Sequence, residues 1–121
     1  MPWILDDFES CAGQVVGSGQ CVSLLQDFGV PHTSKWRAGI SVRGSGCEAG
    51  TCIASFDPNG TYGNHVDGRS HAAVFIAEQA DGLLVFDQWK GHAAARRVIQ
   101  FRGGNGRRVN DGDAFAIIED E

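Results

Sequence analysis

The chain has 121 residues, enough for one domain with a core of its own. Its 42% hydrophobic and 21% charged residues are the balance of a soluble globular protein, and no run is long enough to cross a membrane as a helix. A net charge of −5 argues against nucleic acid, whose phosphates call for a basic face.

In chain order, residues 1–16 form an N-terminal arm. Trp3, Ile4 and Leu5 are expected to dock on the core, and Asp6 to Gly13 to make a short helical turn. The arm lacks the basic and long apolar regions of a secretory signal, so synthesis in the cytoplasm is expected, with any export by a route that reads no cleaved signal. Gly17-Ser18-Gly19-Gln20-Cys21 then turns into an apolar-periodic segment, predicted as a helix from about Gly19 to Phe28. Ser18 is the candidate N-cap, Gly29 and Pro31 are the stop, and Cys21 falls in the first turn. A thiol there is expected to have a lowered pKa. The plain alternative is that Cys21 is a small buried hydrophobe.

Val30 to Gly39 is predicted as a loop with a helical turn near Ser34 to Trp36, and Val42 to Ala49 as a glycine-rich connection. From Thr51 the period becomes two. Strands are predicted at Thr51–Phe56, His71–Gln79, Leu83–Trp89, Arg96–Arg102 and Ala114–Glu119, with turns at Asp57–Gly60, Ala80–Gly82 and Asn110–Asp113. One helix followed by consecutive short-linked strands is an α+β order, the helix lying on a five- to six-stranded antiparallel sheet.

A cysteine nucleophile needs a base, and the base needs an orienting group. His71 opens a strand after a turn and is the first candidate base. His32, His65 and His92 compete with it; His65, two residues before Asp67, ranks second, and nothing near His92 suggests an orienting acid. Asp87 interrupts the apolar strand Leu83-Leu84-Val85-Phe86, and a carboxylate there must be partnered if buried. A two-residue loop at Asp81-Gly82 would pair Asp87 with Ile76, roughly 16 Å along the strand from His71. A loop spanning Ala77 to Asp81, or a bulge, would close that gap, and the longer loop is the expected solution. Cys47 and Cys52 are spaced for either a small disulfide or two free thiols. With His65 and His71 they are too loosely spaced to be preferred as a zinc site.

Gly19-Gln20-Cys21-Val22, Ser70-His71-Ala72-Ala73-Val74-Phe75 and Phe86-Asp87-Gln88-Trp89 together resemble the signature stretches of papain-like peptidoglycan amidases of the CHAP type. The whole chain is similar to small single-domain amidase effectors of type VI secretion, including Thr33 to Gly39, Gly50 to Phe56 and Asn110 to Gly112. The resemblance implies one cysteine amidase domain over residues 1–121, without metal or cofactor. It implies Cys21 as nucleophile, His71 as base and acid, and Asp87 as the orienting residue, where many CHAP domains carry Glu or Asn. It also implies injection into a neighbour's periplasm and a dedicated immunity protein. The Cys21 N–H is the natural oxyanion donor, with the side chain of Gln20 or Gln14 as second candidate. Trp36, Tyr62 and Trp89 are candidate groove walls, and Arg37, Arg69 or Lys90 candidate carboxylate binders. Two other readings stay open: a deamidase or acyl transferase acting on a protein, and a non-enzymatic binding domain.

Overall fold

The computed structural model describes residues 2–120. Its regular elements are α1 (Cys21–Asp27) and six strands: β1 (Trp36–Ser41), β2 (Cys52–Ser55), β3 (Ala72–Glu78), β4 (Gly82–Trp89), β5 (His92–Gln100) and β6 (Phe115–Asp120). All pairings are antiparallel, in the spatial order β1-β6-β2-β3-β4-β5. The fold is thus α+β: one six-stranded antiparallel sheet with one α-helix packed against β3 and β4.

The sheet is buried on both faces. On the α1 face, Leu24 and Leu25 pack with Trp36, Cys52, Ala54, Val74 and Phe86. Each fully buried aliphatic chain contributes about 1.5–3 kcal/mol of transfer free energy. The opposite face packs Ile53, Ala73, Phe75, Leu83, Val85, Ile99 and Phe115. β2 is buried along its whole length because it is central in the sheet.

The N-terminal arm docks as expected. Ile4 bridges Thr51, the Cys52 N–H donates to the Trp3 carbonyl (2.8 Å), and Phe8–Cys11 forms a 3-10 turn. Three expectations fail. Trp36–Ser41 is a strand rather than a loop; as an edge strand it fully buries only Trp36 and so lacks the apolar alternation that marks a buried one. β5 starts at His92, four residues early. The run His92-Ala93-Ala94-Ala95 has little β preference, but the arm hydrogen-bonds to it on both sides of Ala94, from Gly13 N–H and to Gln14 C=O. The β3–β4 connection is short, Gln79–Asp81, closed by the Gln79 N–H donating to the Gly82 carbonyl. A bulge at Ile76, rather than the expected longer loop, supplies the register change.

Candidate active site

The turn before α1 is built on glycines. Gly17 and Gly19 have φ of +58° and +85°, and a Cβ on Gly17 would come within 2.9 Å of the Ser23 Cβ. The residue at the N-cap position is Gln20, in extended conformation and without a side-chain cap bond, not Ser18. The Ser18 hydroxyl is instead 2.6 Å from the Ser23 hydroxyl. Gln88 on β4, fully buried, pins this turn. Its amide donates to the carbonyls of Val16 (2.8 Å) and Gln20 (2.9 Å) and accepts from the Val16 N–H (3.0 Å). Three bonds from one buried side chain fix the backbone that carries Cys21.

His71 immediately precedes β3. Its N–H donates to the buried Ser55 hydroxyl (3.0 Å), which in turn donates to the Arg69 carbonyl (3.0 Å). Its Nε2 lies 2.6 Å from Asp87 Oδ2. Both residues are buried, with side chains 7% and 1% exposed. A carboxylate so deeply buried requires strong partners. Asp87 has a second one in Arg97 of β5, whose Nε donates to Oδ2 (2.8 Å) and Oδ1 (3.1 Å). Trp89 covers the group, with its ring edge-on to His71 (6.4 Å), stacked on His92 (4.1 Å) and under the Arg97 guanidinium (4.8 Å).

With Nε2 committed to Asp87, the other ring nitrogen is left for Cys21. Burial alone would raise the Cys21 thiol. Hydrogen bonding to His71, its charge, the Ala72 N–H and the Tyr62 hydroxyl outweigh burial and hold the thiol below its ordinary value. Burial likewise opposes a charged His71, but Asp87 and Cys21 push it up to about 9. The two shifts together favour a thiolate–imidazolium pair. α1 spans only seven residues, and His71 is the largest of the influences that lower the thiol. The Tyr62 hydroxyl is 3.7 Å from the sulfur. Burial and the neighbouring sulfur raise it further, so it stays a neutral donor.

The other sequence candidates are placed as follows. Trp36 is fully buried, donates to the Pro31 carbonyl (2.9 Å) and packs edge-on under Tyr62 (4.9 Å). It is core and walls no groove. Trp89 is 37% exposed and lines a cleft of about 410 Å³ together with His71. Gln14 and Gln20 are exposed. His65 bonds Asp57 (3.0 Å), not Asp67, and lines the cleft without meeting Cys21. Arg37 donates to the Ser34 and Trp36 carbonyls, Arg69 is paired with Asp67 and Lys90 is in the β4–β5 turn; none of the three lines the cleft. All four cysteines are free, Cys47 packing on one face of the sheet and Cys52 on the other. A larger hollow of about 570 Å³ lies between the arm and β5 and holds none of Cys21, His71 or Asp87.

Arg97, Ser55 and the structural role of Gln88 went unread in the sequence. Gln88 carried a signal: an amide in an apolar strand, beside a buried acid, needs internal partners. Arg97 sits in a strand of mixed exposure and had none.

Known proteins resemble the chain throughout. The family described as domesticated amidase effector 2 (Dae2) matches residues 4–118. A type VI secretion amidase effector 2 protein of Salmonella typhi is 37% identical over 114 residues, covering 83% of this chain and 84% of that protein. The domesticated amidase effector 2 of Ixodes scapularis is 33% identical over 115 residues, covering 86% and 73%. The solved structure of a type 6 secretion amidase effector 2 (Tae2) superposes with a TM-score of 0.83 at 32% identity, covering 98% of this chain and 95% of that one. Matched from near its first residue to near its last, the chain belongs to the domesticated amidase effector 2 family.

Proposed function

We propose that the protein is a cysteine-dependent amidase that hydrolyses amide bonds in peptidoglycan stem peptides, as an antibacterial effector of the type VI kind. Amidase activity follows from the family and its named relatives. The cysteine mechanism is supported chiefly by the buried His71–Asp87 pair at the start of β3, 2.6 Å apart, and by the interaction of the same imidazole with the Cys21 thiol, which lowers the thiol and raises the ring. That arrangement on a helix-and-sheet scaffold is papain-like, with residues 1–121 acting as one catalytic domain.

In the first step the Cys21 thiolate attacks the amide carbonyl carbon. The C–N bond breaks as the His71 imidazolium protonates the leaving amine, and a thioester forms. His71 then takes a proton from water, the hydroxide attacks the thioester, and C–S cleavage returns the thiolate. Asp87 holds the imidazole orientation throughout. The Cys21 N–H, a first-turn donor without a helical acceptor, is aimed at the developing oxyanion, with the exposed Gln20 side chain as second donor. Trp89 walls the substrate cleft.

Delivery by a type VI machine to a neighbour's periplasm, and a cognate immunity protein, belong to the same proposal. Among the described residues no helix is long and apolar enough to cross a membrane. Digestion of purified peptidoglycan, with mass analysis of the fragments, tests the reading. Wild-type protein should release peptide fragments cut at one kind of amide bond, and Cys21→Ala should release none. Undiminished hydrolysis by folded Cys21→Ala would remove Cys21 from the mechanism. Modification of a protein glutamine in place of muropeptide cleavage would replace the substrate.

A further inference from the structure

The cleft beside His71 is basic although the chain is acidic overall. Its lining includes Arg97, Arg107, His65, Ser70 and Asn110. Arg97 is spent on Asp87, and His65 on Asp57. Arg107 is different. The other arginines each have an acceptor: Arg43 has Asp113, Arg69 has Asp67, Arg96 has Glu9, Arg108 has Asp57, Arg102 has the Asn110 carbonyl and Arg37 has the Ser34 and Trp36 carbonyls. Among the described residues, the Arg107 side chain has no hydrogen bond or ion pair.

Its position is nonetheless set by its neighbours. The stem lies across the backbone of Gly68, where a Cβ would come within 2.5 Å of the Arg107 Cδ. Gly68 has φ of +92° and no side chain, so the stem can rest there. The two loops are tied by the Val109 N–H to the Gly68 carbonyl (3.3 Å) and by Arg108 to the Phe56 carbonyl. The cleft thus presents one unpaired, five-donor guanidinium in the same lining as the His71 ring. Its volume of about 410 Å³ is ordinary for a ligand site. Such a fork matches a carboxylate in shape and charge.

We propose that Arg107 binds a free carboxylate of the substrate peptide and so selects stem peptides that carry one beside the amide to be cut. The inference rests on the cysteine amidase reading for the identity of the peptide. The geometry of the cleft carries the choice of residue and of ligand chemistry. Arg107 touches none of the groups that move protons, so it contributes to substrate binding and positioning rather than to bond cleavage.

Binding of crosslinked muropeptides to the Cys21→Ala protein tests this, with the muropeptides either as free acids or with their carboxylates converted to carboxamides. With Arg107 present, the free-acid form should bind about tenfold more tightly than the amidated form. Replacing Arg107 with Ala should weaken only the free-acid form and remove the preference. In active protein, Arg107→Ala should raise KM for the free-acid muropeptide by a similar factor with kcat little changed. A preference that survives Arg107→Ala, or equal weakening of both forms, overturns the proposal. Because binding is measured without Cys21, a failed cysteine mechanism would appear separately, as hydrolysis that persists in Cys21→Ala.

Discussion

His71 Nε2 and Asp87 Oδ2 lie 2.6 Å apart although the two residues are not cross-strand partners. The β3–β4 register pairs Val74 with Phe86, and its continuation sets Asp87 opposite Ala73. His71 is therefore the diagonal neighbour on the same face, within reach of a long side chain. The bulge at Ile76 produces this register. Without it, the pairing of Ala77 with Leu84 would carry on and turn Asp87 toward the other face.

Removing Asp87 should damage both stability and activity. Asp87→Ala leaves His71 unanchored and takes the carboxylate from Arg97. Breaking a buried pair of this kind costs about 3–5 kcal/mol, read as a lower urea midpoint. The folded fraction should lose about 10²–10⁴ in kcat, the usual scale of positioned acid–base catalysis. Arg97→Ala should show a weaker version of both effects.

The pH profile has a defined sign. His71 is pushed up to about 9 by Asp87 and Cys21 against the opposing effect of burial. Its charged form therefore stabilises the fold fully below the ordinary histidine value, and that stabilisation is lost as pH rises through about 9. Activity should fall through the same alkaline range, where the leaving amine loses its acid. The acid limb should lie below the ordinary thiol value, because Cys21 is lowered by His71. Stopped assays from pH 5 to 10 read both limbs.

Much of the scaffold was legible in the sequence because its signals are local. Cys21, His71 and Asp87 each stand out against their surroundings: a thiol at a glycine turn, an imidazole at a strand start, an acid in an apolar run. The β3 and β4 strands were readable from alternation and turn residues. Their register was not, because a bulge is a backbone event with no fixed residue type. Trp36 was misjudged for a related reason. A tryptophan has the same sequence signature in a core as in a groove, and the edge strand that buries it lacks alternation. Arg97 was unreadable because its value comes only from lying across the sheet from Asp87.

The two tryptophans should therefore separate in mutagenesis. Trp36→Ala, which empties a fully buried site, should cost about 3–5 kcal/mol of stability. Trp89→Ala, at the exposed wall over His71, should leave the melting temperature nearly unchanged and lower kcat/KM by about tenfold. Thermal melts paired with initial rates distinguish the cases.

Gln88→Leu should destabilise through polar groups rather than volume. It strands the N–H and C=O of Val16 and the C=O of Gln20, at a total of about 2–4 kcal/mol. Since those groups fix the turn before Cys21, amide exchange over residues 16–20 should speed up, and kcat should fall with it.

Alkylation of Cys21 as a function of pH is the decisive measurement, read by peptide mass in wild-type protein and in His71→Ala. Cys52 serves as internal control, since burial pushes its thiol up to about 12 and closes it to reagent. If His71 activates the thiol, the alkylation step of wild-type Cys21 lies below the ordinary thiol range and moves up into that range in His71→Ala. An ordinary thiol profile in the wild type, unchanged by loss of His71, would contradict a thiolate–imidazolium pair at this site.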